Sequence, residues 1–275
     1  MDIFQEVSAW YERYDGEKKT IGKSVLNREI YAVKIGKGSP VGIAQYAIHG
    51  REWITTKIAF YHAERGVEKG SVWLIPLVNP DGALLSQKGI CSVKDKKKAD
   101  FLRAINRSDC FSLWKANTNG VDLNVNFPAD WGNGAKNVFF PSSENYVGKT
   151  PLSEPETIAL KRFTEKISPD FTVSYHTKGE EIYWYYYQSL YACARDKKMA
   201  ICLSEATGYP IKQAKGSVGG YKDWCIKALK IPAFTIEAGS DEYPHPLNET
   251  HLSEILERNK DALAALVNAY PRGRR

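Results

Sequence analysis

The hydrophobic period of this 275-residue chain changes many times along its length. Residues 28–36 alternate apolar and polar side chains and include β-branched residues, which predicts a strand closing on a glycine turn. Residues 41–48 and 71–78 are nearly continuous apolar runs, the pattern of strands buried on both faces of a parallel sheet. Residues 170–176 and 233–237 read as further strands, 181–188 as an aromatic strand and 120–124 as a short one. Helical spacing marks residues 7–14, 55–66, 196–207 and 223–230, and a long amphipathic stretch at 252–270. In the second of these helices Ile58, Ala59, Tyr61 and His62 fall near one face, and His62 is expected at the helix surface. Ser153 stands where it caps a helix with acids in its first turn, running to about Ile167. Asn79-Pro80-Asp81-Gly82 is a turn signal, and residues 90–119 are polar and irregular with one short helix. Strands alternate with helices, and neither a repeat nor a linker interrupts them. The expectation is one α/β domain over residues 1–275 with a mostly parallel or mixed sheet.

Composition narrows the function classes. A hydrophobic content of 43% supports a sizeable core, and the net charge of +6 is modest for this length. Lysines are scattered apart from Lys96-Lys97-Lys98, read as a solvated loop, and no basic stripe interleaved with aromatics points to nucleic acid. The N-terminus carries acids rather than the positive charge of a signal peptide, and no apolar run reaches transmembrane length. A cytoplasmic protein with no membrane partner is expected. Cys91, Cys110, Cys193, Cys202 and Cys225 are odd in number and form no Cys-x-x-Cys pair, so reduced, mostly buried thiols are expected rather than a disulfide framework or a thiolate metal site.

The chemistry-bearing residues gather at predicted strand ends. The run ending at Ile48 is followed by His49-Gly50-Arg51-Glu52, the strand at 170–176 ends on His176, and the strand at 233–237 ends on Glu237. Ligands of open α/β sheets collect at the carboxyl ends of strands. His49, Glu52 and His176 make a His/Glu/His set for one zinc ion with a fourth position open to water. Glu237 is then placed to take a proton from that water and hand it to a leaving nitrogen. Taken singly, each has a plainer reading: His176 as a hydrogen-bonded loop histidine, Glu237 as a salt-bridged carboxylate on the rim.

Six ordered motifs carry a family resemblance over nearly the whole chain: Ile48-His49-Gly50-Arg51-Glu52-Trp53, Asn79-Pro80-Asp81-Gly82, Gly120-Val121-Asp122-Leu123-Asn124, Ser153-Glu154-Pro155-Glu156-Thr157, Ser174-Tyr175-His176 and Phe234-Thr235-Ile236-Glu237. Together they resemble the zinc carboxypeptidases of the carboxypeptidase A type, peptidase family M14. The resemblance implies an α/β/α fold around a central mixed eight-stranded sheet. It implies His49, Glu52 and His176 as zinc ligands, Glu237 as general base and acid, and Arg51 and Asn124 in the substrate cleft.

The departures redirect the substrate. Family members follow the equivalent of Asn124 with an arginine that grips the terminal carboxylate; here Val125 stands there and cannot pair with an anion. The family arginine that assists the oxyanion is replaced by Lys115, after Trp114. The family's mobile tyrosine has no clear counterpart: Tyr221 is nearby and is taken as a substrate-binding candidate, while a simple alignment places Lys215 at that position. In Gly219-Gly220-Tyr221-Lys222-Asp223-Trp224 the specificity position falls on Lys222, either a reader of an acidic or zwitterionic side chain or a solvated lysine at a helix start.

Trp114-Lys115-Ala116-Asn117, Phe127-Pro128-Ala129 and Glu180-Glu181-Ile182-Tyr183-Trp184 resemble most the bacterial γ-D-glutamyl-meso-diaminopimelate peptidases, in which the terminal-carboxylate arginine can be absent. The aromatic run from Tyr183 to Tyr187 is either a cleft wall or a sheet edge packed on the core. The resemblance implies a muropeptide or other small peptide substrate, with Lys222, Arg51 and Lys178 available to read its distal carboxylate. Two alternatives remain: a metallocarboxypeptidase removing acidic C-terminal residues, and a catalytically silent module that binds peptidoglycan peptides.

Overall fold

The computed structural model describes residues 1–214 and 216–271. In chain order its elements are α1 (Ile3–Arg13), β1 (Lys18–Lys23), β2 (Glu29–Lys37), β3 (Val41–Tyr46), α2 (Thr55–Arg65), β4 (Gly70–Ile75), α3 (Pro80–Lys88), α4 (Lys96–Asn106), α5 (Pro155–Ile167), β5 (Phe171–His176), β6 (Glu181–Tyr183), α6 (Leu190–Thr207), β7 (Ile211–Lys212), α7 (Tyr221–Trp224), β8 (Ala233–Glu237), α8 (Leu252–Asn259) and α9 (Ala262–Ala269). The strands form one eight-stranded sheet in the order β1-β2-β4-β3-β5-β8-β6-β7. β4, β3, β5 and β8 run parallel, while β2 and β6 lie antiparallel to their neighbours in this core. This is the mixed eight-stranded sheet that the family resemblance implies.

The two-residue period of the strands sends alternate side chains to opposite faces. Val33, Ile35, Ala44, Tyr46, Val173 and Tyr175 pack with α2, α6, α8 and α9. Ile30, Ala32, Ile43, Trp73, Ile75 and Ala233 pack with α5 and α7. Each fully buried Leu, Ile or Phe in these layers contributes roughly 1.5–3 kcal/mol. No helix among the described residues is long and apolar enough to cross a membrane.

Several local expectations are corrected. β1 has no counterpart in the sequence reading, because lysines fill it; the Lys19 stem lies against Trp73, with its ammonium 4.9 Å from the ring centroid. The expected strand at 120–124 is instead a 3₁₀ turn, Leu123–Val125, capped by the Asp122 side chain, which accepts from the Asn124 N–H at 3.1 Å. The aromatic strand stops at Tyr183; beyond it Tyr187 has a φ of 50° and Gln188 accepts the Tyr186 N–H. Asn79 opens α3 as its cap, accepting the Gly82 N–H at 2.9 Å, so the turn signal was a helix start. Glu154, rather than Ser153, occupies the cap position of α5, and Ser153 donates to the Glu154 carboxylate. Lys96-Lys97-Lys98 forms the first turn of α4. The cysteines are free, but Cys91 and Cys110 are exposed and Cys225 is the one fully buried.

His62 departs furthest from expectation. It is buried, with Nδ1 accepting from the Tyr46 hydroxyl at 2.7 Å and Nε2 donating to the Asn259 carbonyl at 2.9 Å. Burial pushes its pKa down to about 4, so the ring is neutral. The same contact explains why the C-terminal helix is two helices. The Asn259 carbonyl serves His62, its side chain donates to Tyr209 and the Ile255 carbonyl, and the chain breaks between α8 and α9.

Candidate active site

Parallel pairing brings the carboxyl ends of β3, β5 and β8 side by side. Tyr46 is in register with Tyr175, and His176 with Glu237. After β3 the backbone turns through Ala47, at a φ of 50°, into the tight turn Gly50–Glu52. Only glycine fits at Gly50: a Cβ there would lie 2.5 Å from the Gly82 carbonyl oxygen and 2.8 Å from that of Trp114. That close approach presses the turn against α3 and swings His49 and Glu52 toward β5.

The side chains converge. Glu52 meets His49 Nδ1 at 2.8 Å through one oxygen and His176 Nδ1 at 2.9 Å through the other, and the two Nδ1 atoms are 3.1 Å apart. Burial works against the Glu52 charge, but the two imidazoles outweigh it and hold the carboxyl well below its usual range. Behind His49, the Asp122 carboxylate lies 3.2 Å from Nε2. Asp122 also takes the Asn145 N–H and an ion pair with Lys115 at 3.3 Å. Burial opposes its charge too, and Lys115 and His49 overcome the effect to hold it well below the carboxylate range.

This donor set fits zinc. Ligand atoms of His49, Glu52 and His176 all lie within 4.8 Å of one another, a span that coordination bonds of about 2.0–2.2 Å bridge. Two imidazole nitrogens facing each other at 3.1 Å cannot both carry protons without conflict; a shared cation resolves the contact. Asp122 supplies the carboxylate that commonly orients a metal-bound histidine through its other nitrogen. Two nitrogens, one carboxylate and no thiolate define a single-metal hydrolytic centre of the catalytic, rather than structural, kind.

Glu237 stands beside the triad, where burial pushes its pKa up to about 7 against the pull of His176. It lines a cavity of about 560 Å³ that also contacts Asn124, Tyr183, Lys222, Asp223 and Thr235. Lys222 is buried; its ammonium pairs with Asp223 at 2.6 Å, reaches the Tyr185 carbonyl at 3.2 Å and lies 5.3 Å from the Tyr186 ring centroid. Of the two readings of this lysine, the solvated one is excluded by its burial. At the rim of the same cavity Lys212 pairs with Glu181.

The other sequence candidates separate. Lys115 is close to the triad through Asp122, and its carbonyl accepts the Gly50 N–H. Asn124 reaches the cavity and accepts the Tyr221 N–H at 3.3 Å. Tyr221 itself does not line the cavity: its ring is fully buried against Phe127 and Trp224, and its hydroxyl meets Thr164, so its placement is that of a core residue. Arg51 and Lys178 do not line the cavity that holds Lys222. Lys215 lies outside the described residues. Sequence reasoning missed Asp122, although it stands inside a quoted motif, and Asp223, adjacent to Lys222. It also missed His245, whose signal is a Pro-flanked histidine shortly after the Glu237 strand.

The comparisons with known proteins agree with this centre. A family model described as zinc carboxypeptidase matches residues 12–264. A relative from Lysinibacillus sphaericus, gamma-D-glutamyl-L-diamino acid endopeptidase 1, is 35% identical over 248 residues, covering 83% of this chain; the chain spans 62% of that relative's length. An uncharacterized protein of Bacillus subtilis, YqgT, is 31% identical over 274 residues, covering 90% of this chain and 69% of its own. The structure of bovine thrombin-activatable fibrinolysis inhibitor superposes with a TM-score of 0.76 at 23% identity, covering 96% of this chain and 95% of that one, and shares the fold. The chain belongs to the zinc carboxypeptidase family of metallopeptidases, M14, and His49, Glu52 and His176 are its zinc triad.

Proposed function

We propose that the chain hydrolyses the bond between a γ-linked D-glutamyl residue and meso-diaminopimelate in peptidoglycan peptides. The observation that carries this reading is the buried Lys222–Asp223 pair in the cavity beside Glu237. A pocket for a simple apolar or cationic C-terminal residue has no use for a buried ammonium and carboxylate side by side. The distal centre of diaminopimelate bears both an ammonium and a carboxylate, and each finds its opposite there. Val125, where the family places its carboxylate-gripping arginine, disfavours ordinary removal of a C-terminal amino acid. The name of the Lysinibacillus sphaericus relative supports the same substrate class.

Held by His49, Glu52 and His176, a zinc ion would supply Lewis acidity to the scissile carbonyl and to the attacking water. Glu237 takes the proton from the nucleophile and delivers it to the nitrogen of the diaminopimelate, which leaves into the cavity. Lys115 supplies positive charge to the developing oxyanion, and Asn124 lines the approach to the leaving group. Mass analysis of purified muropeptides after digestion tests the reading. Release of diaminopimelate-containing fragments with a free γ-carboxyl on the glutamyl part is expected. Equal kcat/KM on peptides that differ only in meso-diaminopimelate against lysine would overturn the recognition argument.

A further inference from the structure

Next to the zinc triad, but outside the lining of the cavity, stand further polar side chains. Arg51 sits between the ligands His49 and Glu52, and Lys178 follows His176 by two residues on the segment leaving β5. Arg51 Nε is buried without a hydrogen-bond partner among the described residues, and the Arg51 guanidinium comes no nearer to Glu144 than 3.9 Å. The Lys178 ammonium rests on the Asp241 carbonyl, with the Asp241 carboxylate 3.7 Å away. His245, on the loop after β8, presents a buried Nδ1 that also lacks a partner among the described residues. Burial and then the positive charge of Arg51 push the pKa of His245 down to about 4, with Lys178 and Lys115 adding to the effect. The imidazole is therefore neutral and carries one N–H to donate.

Unpaired donors backed by two cations fit an anion, and their position selects which one. Glu237 borders the cavity and, in the function proposed above, protonates the leaving nitrogen; the cavity therefore holds the leaving group, and the acyl part is left to the residues that adjoin the metal ligands outside it. In an α-linked peptide the acyl part continues through a neutral amide. In a γ-linked glutamyl residue it bears a free α-carboxylate, two methylenes and the α-carbon away from the scissile carbonyl. We infer that Arg51, Lys178 and His245 bind this α-carboxylate and so make the enzyme selective for γ-linked glutamyl substrates, an inference that rests on the function proposed above. An arginine offers the carboxylate a two-pronged grip, with lysine as a second charge and the imidazole N–H as a directional donor.

The experiment compares two peptides, γ-D-glutamyl–diaminopimelate with its α-carboxylate free and the same peptide with that group as the carboxamide. Wild-type enzyme is expected to lose roughly ten- to a hundredfold in kcat/KM on the carboxamide, mainly through KM. In Lys178→Gln and in His245→Ala the ratio between the two peptides shrinks toward one, while Lys178→Arg, which keeps the charge, retains the preference. Equal wild-type kcat/KM on the two peptides overturns the inference without any variant having to fold, and so does a ratio that persists in both variants. Those results leave the proposed function standing. Cleavage of neither peptide overturns the proposed function and this inference with it.

Discussion

His49 Nε2 lies 3.2 Å from the Asp122 carboxylate, so the imidazole that offers Nδ1 to the metal is held from behind by a buried charge. Asp122 has further ties, to Lys115 and to the backbone of Asn124 and Asn145, and cannot follow the ring if it turns. Asp122→Asn is expected to weaken zinc binding about 10–100-fold. Competition with a chromophoric chelator measures it, and an unaltered zinc affinity would confine Asp122 to shaping its own loop.

Glu237→Gln keeps the shape of the side chain and removes its ability to accept a proton. Hydrolysis is expected to fall by about 10²–10⁴-fold while the metal content of the purified protein stays at one zinc per chain. Metal analysis beside the rate measurement separates loss of the base from loss of the metal.

Lys222→Met retains the buried stem and deletes the ammonium that pairs with Asp223. The preference for diaminopimelate over lysine in otherwise identical peptides is expected to shrink about tenfold, the equivalent of about 1.4 kcal/mol. A preference unchanged by the substitution would locate diaminopimelate recognition elsewhere in the cleft.

His62 gives the fold a pH dependence of definite sign. Its folded pKa of about 4 lies below the ordinary value of 6.5, so the unfolded chain binds a proton more readily between those limits. The stability it supports is complete above pH 6.5 and is lost as pH falls through about 4. The total is about 3 kcal/mol. In His62→Gln the acid limb of unfolding free energy against pH should flatten across this window. A limb as steep as that of the wild type would assign acid sensitivity to other groups.

The clustering of the zinc ligands with Glu237 was legible because these residues stand at or just beyond the ends of strongly apolar strands. Val41–Tyr46, Phe171–His176 and Ala233–Glu237 announce themselves by composition, and a parallel sheet brings their carboxyl ends together. Residues whose roles depend on contacts far away in sequence were harder to read. His62 looked like a surface residue because its partners, Tyr46 and Asn259, are 16 and 197 positions away. Tyr221 looked like a substrate residue because one dimension hides which way a ring turns at a helix start; in three dimensions it packs on Phe127. β1 was missed because lysine stems cover apolar surface while reading as polar.

The sheet order also separates two kinds of constraint. The zinc triad rests on β3 and β5, central strands hydrogen-bonded on both sides, and on a turn that admits only glycine at its tightest point. The outer wall of the cavity rests on β6 and β7, strands of three and two residues at one margin of the sheet. Changes of length or sequence at that margin disturb few backbone pairings, whereas the same changes at β3 or β5 would dismantle the metal centre. A lineage built on this scaffold can therefore acquire new substrates by editing its periphery while its chemistry is inherited intact, and the β6–β7 border is the place to begin when redirecting its specificity by design.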